Sequence, residues 1–199
     1  YYSVSVQPGL RLLAINTNYC TRLNPWTMLD PIDPANQLKW LVHQLQEAET
    51  ANEKVHIIGH IPPDSRECTQ AWLYNYLRIM ERYEDTILAQ YYGHTHRDEF
   101  RILYSLYKQP KPVSIAFIGP SMTPYTENNP AYRVYSMDSN GYLNDYTTFY
   151  FNLSEANSQM TPPKWKLGYQ AKSTFKLFDL GPDSWHNFIT RLEQDENLF

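Results

Sequence analysis

The sequence predicts a mixed α/β fold. In the first half, three short apolar stretches, at residues 10–16, 54–59 and 86–92, have the composition of strands and alternate with two segments of helical periodicity. Such alternation is the signature of a sheet layered against helices. In the second half, four further stretches follow without a long helix between them: residues 100–104, 113–118, 132–137 and 146–153. That pattern favours a sheet of mixed or antiparallel strands.

Each element has its own local signal. Val4 and Val6 alternate as in a strand at the start of the chain. Asp33 and Pro34 are expected to open the first helix, since aspartate can cap it and proline suits its first position. Apolar residues at helical spacing define three helices, namely Leu38, Leu41, Val42 and Leu45, then Leu73, Leu77 and Met80, and finally Trp185, Phe188, Ile189 and Leu192. Pro162 marks a turn or linker before the last of them.

Size and composition narrow the class of protein. The 199 residues suffice for one large domain or a piece of a larger one, and a chain that begins at Tyr1 inside a strand pattern is expected to be a processed chain or a fragment. A net charge of -4 argues against nucleic acid as a partner, because phosphate binding needs a basic face. No apolar run approaches the roughly 18 residues of a membrane span, so no transmembrane segment is expected.

Two weak signals concern the cellular compartment. The only cysteines, Cys20 and Cys68, are compatible with one disulfide or with two free thiols. Asn152 begins an Asn-Leu-Ser sequon, which is a glycosylation acceptor only in a secreted chain. Together they favour the secretory pathway.

Three histidines follow two of the predicted strands. His60 follows the second strand, whereas His94 and His96 follow the third in a Gly-His-x-His run. Residues two apart on an extended backbone point the same way, so both imidazoles of this run can face one site, and Gly93 is expected to make the sharp turn. Ligands bind at the carboxyl ends of strands in α/β sheets, and imidazole is a favoured ligand of zinc and iron. The sequence therefore predicts a metal site formed by His60, His94 and His96.

The other three histidines are predicted to have no ligand role. His56 is expected to pack or to form a structural hydrogen bond within its strand. His43 lies among polar residues of the first helix and is expected to be solvated. His186, beside Trp185, is expected to be structural.

Four longer stretches carry a family resemblance: residues 33–41, 54–63, 92–100 and 129–135. The Gly-His motifs occur in many phosphoesterases, but the Asn-Pro-x-Tyr-Arg-Val-Tyr pattern of residues 129–135 and the cysteine positions are more specific. In these features the chain resembles the acid sphingomyelinase family of calcineurin-like metallophosphoesterases. The resemblance implies the C-terminal half of a four-layer αββα sandwich at residues 1–160 and the start of a C-terminal helical region at residues 161–199.

The resemblance also implies a reaction and a metal content. The parent protein would be a zinc-dependent phosphodiesterase that hydrolyses sphingomyelin, at a membrane surface, to ceramide and phosphocholine. His60 and His94 would ligate one zinc ion and His96 the second, and Tyr125 would lie near the substrate headgroup. An aromatic ring there could meet the choline ammonium through a cation–π interaction.

The resemblance assigns further positions to a lysosomal or secreted setting. Cys20 and Cys68 match positions that the family joins in a disulfide, and Asn152 matches a glycosylated one. The catalytic residues, in contrast, are expected upstream of this chain, because it contains neither an Asp-x-His nor a Gly-Asn-His motif. Leu23 stands where the family can carry an acidic residue near the site.

Two other functions remain open at this point. An acid-sphingomyelinase-like phosphodiesterase that acts on nucleotides would share the histidines and differ in the walls of its pocket. A non-catalytic paralogue would keep the fold and lack the metals.

Overall fold

The structure, a computed structural model, describes residues 1–107, 109–125, 127–159 and 162–195. Its strands are β1 (Tyr2–Gln7), β2 (Leu10–Ala14), β3 (Lys54–Ile58), β4 (Ile87–Tyr92), β5 (Glu99–Tyr104), β6 (Pro112–Ile118), β7 (Ala131–Met137), β8 (Leu143–Tyr150) and β9 (Lys166–Gln170). Its α-helices are α1 (Gln37–Thr50), α2 (Gln70–Arg82), α3 (Leu153–Gln159), α4 (Ala171–Phe175) and α5 (Pro182–Gln194).

The strands form two sheets. The larger has the order β1-β2-β3-β4-β6-β5, in which β2, β3, β4 and β6 are parallel and the edge strands β1 and β5 are antiparallel to their neighbours. The smaller is the antiparallel sheet β7-β8-β9. The predicted α/β class is confirmed, and the strands after His96 are mixed as expected, since β6 is parallel to β4 whereas β5 and β7 to β9 pair antiparallel.

Helices α1 and α2 cover one face of the large sheet. Their apolar side chains, including Leu41, Leu45 and Trp72, share one buried cluster with Leu13 and Ile57 of the strands. Successive side chains of a strand point to opposite faces, so the strands also supply a second cluster on the other side.

The second cluster joins the large sheet to the small one and to the last helices. Phe117 of β6 and Tyr146 of β8 pack there with Trp185 of α5. Helix α4 contacts β8 and β9, and α5 contacts β5 and β6. The order of layers is therefore helices, large sheet and small sheet, with α4 and α5 added on the side of the small sheet.

The first helix begins later than the sequence pattern suggests. Pro34–Asn36 form a 3₁₀ turn, and α1 begins at Gln37. Asp33 still caps the helix, because its carboxylate accepts the backbone N–H groups of Leu38 and Lys39 at 2.6 and 3.0 Å. The capping residue was predicted correctly, but a 3₁₀ turn lies between it and the first residue of α1.

The region after residue 150 differs most from the sequence prediction. The expected strand at 146–153 ends at Tyr150, and α3 begins at Leu153. The boundary between the expected regions 1–160 and 161–199 falls on residues 160 and 161, which lie outside the described residues, so this division stays a prediction. Among the residues described, no helix is both long and apolar enough to cross a membrane.

Candidate metal centre

The candidate site lies at the carboxyl edge of the parallel strands. Gly93, after β4, donates its N–H to the carbonyl of His60, after β3, at 2.9 Å. Gly119, after β6, donates in the same way to Tyr92 at 2.9 Å. These bonds hold the segments that follow three strands side by side, as expected for loops at one end of a parallel sheet.

Two of the predicted ligands come close together. The imidazole ring centroids of His60 and His94 are 5.3 Å apart, in an edge-to-face arrangement. The pKa of His60 lies below its ordinary value, first because partial desolvation disfavours the charged ring and then because His94 and His96 would repel that charge. Neutral imidazole is the form that ligates metals.

An acidic residue that the sequence prediction missed joins this pair. A carboxylate oxygen of Glu67 lies 3.3 Å from Nε2 of His94. The loop that carries Glu67 is fixed on both sides: Asp64 accepts the N–H of Glu67 at 2.9 Å, and the Glu67 carbonyl accepts the N–H of Arg22 at 2.9 Å. The one sequence signal that could have indicated Glu67 is its neighbour Cys68, because the disulfide of Cys68 anchors this loop.

The backbone of the Gly-His-x-His run is not extended. His94 and His96 have φ of 73° and 61°, in the left-handed region, so the expectation that they follow strand alternation is wrong. Gly93 is also not the turning residue: it is outside that region, and a Cβ on it would meet only His60 Nδ1, at 3.8 Å. Non-glycine residues in this conformation are uncommon and cluster at functional sites.

The ring of His96 does not join the contact between His60 and His94, although His96 is near enough to act on the charge of His60. Its Nδ1 is buried and has no hydrogen-bond partner among the described residues, and its ring lies edge-on to Tyr125 with centroids 5.8 Å apart. Asn128 donates its side-chain N–H to the His96 carbonyl at 3.2 Å. The described residues contain no group of three or more His, Cys, Asp or Glu arranged to hold a metal ion. The assignment of His60 and His94 to one ion and of His96 to a second stays a prediction.

An ionic cluster centred on the buried Arg133 side chain adjoins the segment that carries His96. Asp98, two residues after His96, pairs with Arg133 of β7, whose side chain is only 2% exposed. Burial works against the charge of Arg133, but the surrounding oxygens favour it, and the pKa of the guanidinium stays above its ordinary value. Three tyrosines surround the pair: Tyr135, Tyr146 and Tyr169. Arg133 is the arginine of the motif at residues 129–135.

The remaining histidines have the roles expected from the sequence. His56 is buried, and its Nε2 donates to the Gly141 carbonyl at 2.8 Å while Nδ1 faces the Tyr91 hydroxyl at 3.3 Å. Burial lowers the pKa of His56. His186 is hydrogen-bonded to a tyrosine hydroxyl, and His43 is largely exposed.

Cys20 and Cys68 are joined in a disulfide, as the resemblance implied. Asn152 is exposed, and its side-chain oxygen accepts the N–H of Glu155 at 3.0 Å, which caps α3. Its glycosylation stays a prediction.

Comparison with known proteins identifies the relatives of this chain. Residues 111–198 match the family model described as the acid sphingomyelin phosphodiesterase C-terminal region. Over 204 residues, covering the whole chain, the sequence is 45% identical to the sphingomyelin phosphodiesterases of Bos taurus and Homo sapiens. The chain is similar to the sphingomyelin phosphodiesterases over its whole length. This confirms the resemblance drawn from the motifs. The chain spans about a third of the length of these relatives, with 32% of each covered.

A second kind of relative and one solved structure are also similar to this chain. A human relative named cyclic GMP-AMP phosphodiesterase SMPDL3A is 37% identical over 200 residues, covering 92% of this chain and 43% of that protein. Among solved structures, a dimetal phosphatase from Danio rerio superposes with a TM-score of 0.51 at 13% identity, covering 74% of this chain and 56% of that one. This second likeness concerns the fold alone.

Proposed function

We propose that this chain is part of a two-zinc phosphodiesterase that hydrolyses sphingomyelin to ceramide and phosphocholine. The observation that carries the proposal is the contact of His60 with His94 at the carboxyl edge of the sheet, together with a nearby His96 whose Nδ1 is buried without a partner among the described residues. Buried polar atoms are normally satisfied, so an unsatisfied imidazole nitrogen is a natural ligand position. The 45% identity to sphingomyelin phosphodiesterases supports the choice of reaction.

Each of these residues has a proposed role. His60 and His94 would hold one ion and His96 the other. Glu67 accepts the Nε2 proton of His94, which fixes the tautomer and the ring orientation and leaves Nδ1 for the metal. Two bound metal ions would polarise the phosphodiester as Lewis acids and lower the pKa of the attacking water. The group that protonates the leaving alcohol is expected from outside residues 1–199.

Tyr125 is the proposed contact for the choline headgroup. It is exposed, and its ring lies beside that of His96. A cation–π interaction between its ring and the ammonium group is worth about 0.5–2 kcal/mol.

We propose a lysosomal or secreted location for the protein. A disulfide persists in an oxidising compartment, and Cys20 and Cys68 form one. An exposed Asn152 within its sequon supports glycosylation in the same pathway.

The nucleotide-cleaving alternative rests on the relative named cyclic GMP-AMP phosphodiesterase. Its identity to this chain is 37%, below the 45% found for the sphingomyelin phosphodiesterases. Parallel assays of the full-length protein on sphingomyelin and on cyclic GMP-AMP or ATP separate the two functions.

The metal assignment is tested in the full-length protein with His94→Ala, His96→Ala and the control His43→Ala. We expect two zinc ions per wild-type molecule by mass spectrometry, a loss of bound zinc and of sphingomyelin hydrolysis in the first two variants, and neither loss in the control, because His43 is solvated. Full zinc content in His94→Ala and His96→Ala would contradict the assignment.

The isolated chain of 199 residues tests the expectation of a divided site. We expect weak zinc binding and no turnover, because part of the ligand set and the acid lie elsewhere. Sphingomyelin hydrolysis at acid pH by this purified chain would overturn that expectation.

A further inference from the structure

A short segment between β2 and α1 exposes an unusual number of large apolar side chains. Leu23, Trp26, Met28 and Leu29 are 87%, 72%, 84% and 78% exposed, respectively. A single exposed apolar residue is ordinary, but four within seven residues form a concentrated apolar surface of the kind that marks an interaction site. We call residues 23–29 the apolar loop.

The apolar loop begins beside the candidate metal centre. Upstream of it, the Thr17 hydroxyl accepts the N–H of His60 at 3.2 Å. Arg22, the residue before the loop, donates its N–H to the carbonyl of Glu67 at 2.9 Å, and the side chain of Glu67 contacts His94. A surface that meets the apolar loop would therefore lie close to the site that takes the phosphodiester.

Local bonds hold the apolar loop in one conformation. The disulfide between Cys20 and Cys68 anchors its approach. Asn24 accepts the N–H of Trp26 at 3.1 Å through its side chain, and the Asn24 carbonyl accepts the hydroxyl of Thr27 at 2.7 Å. Because the backbone of the loop is already ordered by these bonds, little backbone conformational entropy remains to be lost on contact.

We propose that the apolar loop docks the protein onto a zwitterionic lipid bilayer. The proposal rests on the proposed function, in which the substrate lies in such a surface. Tryptophan is enriched at membrane interfaces, and Met and Leu beside Trp26 can enter the acyl boundary. Residues 23–29 contain no charged side chain, so this contact is driven by the burial of apolar surface and not by attraction to anionic lipid. Binding is therefore insensitive to salt.

The test uses the full-length protein and vesicles of phosphatidylcholine, with and without sphingomyelin. The loop variant carries Trp26→Ser, Met28→Ser and Leu29→Ser. The matched control is Phe178→Ser, since Phe178 is 89% exposed. Its neighbour Asp179 lines a cavity with Lys54, at the amino edge of the sheet opposite the metal centre.

We expect co-sedimentation of the loop variant with both kinds of vesicle to weaken about tenfold or more, because burying even one large apolar side chain changes an equilibrium constant by that factor. The Phe178→Ser control should bind as the wild type does. A second measurement compares wild type with Trp26→Phe: brominated phosphatidylcholine should quench more fluorescence in the wild type.

Unchanged vesicle binding by the loop variant, equal loss in the control, or no difference in quenching would each overturn the docking proposal. Binding to vesicles that lack sphingomyelin needs no catalysis. If the protein docks through the loop but does not cleave sphingomyelin, the proposed function fails and the docking surface stands.

Discussion

Replacement of Asp98 by Asn should loosen the small sheet through the buried ionic cluster behind His96. Asp98 and Arg133 form an ion pair in which the arginine side chain is 2% exposed and the aspartate 30%. The amide of Asn keeps the shape and an acceptor oxygen for the Tyr169 hydroxyl, which donates to Asp98 at 2.7 Å. What the substitution removes is the negative charge, and it leaves the guanidinium buried without its counter-charge.

The expected loss of stability follows from the exposed fractions of the Arg133 and Asp98 side chains. Removing one partner of a fully buried ion pair costs about 3–5 kcal/mol. Because Asp98 is partly exposed, water screens some of the interaction, and we expect about 2–3 kcal/mol, or a roughly 30- to 150-fold change in a local opening equilibrium.

Hydrogen exchange of the full-length protein measures this opening locally. Peptides covering β7 and β8 should exchange faster in Asp98→Asn by about that factor, whereas peptides covering α1 should not change. Glu155→Gln is the matched control, because Glu155 pairs with Lys166 at 2.6 Å on the exposed surface, where ion pairs contribute little.

A double variant tests whether the unpaired charge of Arg133 causes the faster exchange. Adding Arg133→Met to Asp98→Asn removes the unpaired guanidinium and should restore part of the protection of β7 and β8. Unaltered exchange in Asp98→Asn, or faster exchange in the double variant than in the single one, would refute the reasoning.

Three other predictions concern stability. Replacing Cys20 and Cys68 by Ser opens a loop with a sequence separation of 48 and should lower the free energy of unfolding by about 4 kcal/mol, measured in denaturant; a loss below about 1 kcal/mol would contradict this estimate. His56 has a pKa lowered by burial, so the unfolded chain binds the proton first as pH falls through 6.5. The wild type should therefore lose stability between neutral pH and the lowered pKa of His56, and His56→Gln should lose less; equal pH dependence of the thermal midpoints would exclude this group as the cause. Gly59→Ala places a Cβ 2.7 Å from the buried ring of Tyr92 and should cost about 1–3 kcal/mol through overpacking, and a neutral change in the unfolding midpoint would show that the ring moves freely.

The large sheet could be predicted from the sequence because its signals are local. The apolar stretches of β3 and β4 and the helical spacing of α1 and α2 are each contained in a few neighbouring residues. Parallel strands place their carboxyl ends at one edge, so the approach of His60 to His94 followed from the same pattern.

What the sequence did not predict depends on weak or distant signals. Strand β9 is mostly exposed, so it lacks the apolar run of a core strand. Helix α3 was not predicted, and the expected strand at 146–153 overlaps it only at Leu153; the side-chain oxygen of Asn152 caps its beginning. The contact of Glu67 with His94 and the burial of Arg133 join residues far apart in sequence, and no periodicity records them.

The left-handed backbone at His94 and His96 has a consequence for how this surface can change over generations. Asn and Asp adopt that conformation more readily than most residues, whereas a β-branched side chain would be strained there. A codon change from His to Asn or Asp would therefore leave the folded backbone almost undisturbed while it removed an imidazole. The backbone conformation does not require histidine at these two positions, so only selection for their chemistry retains them. A lineage freed from that selection could lose the proposed metal ligands and keep its fold.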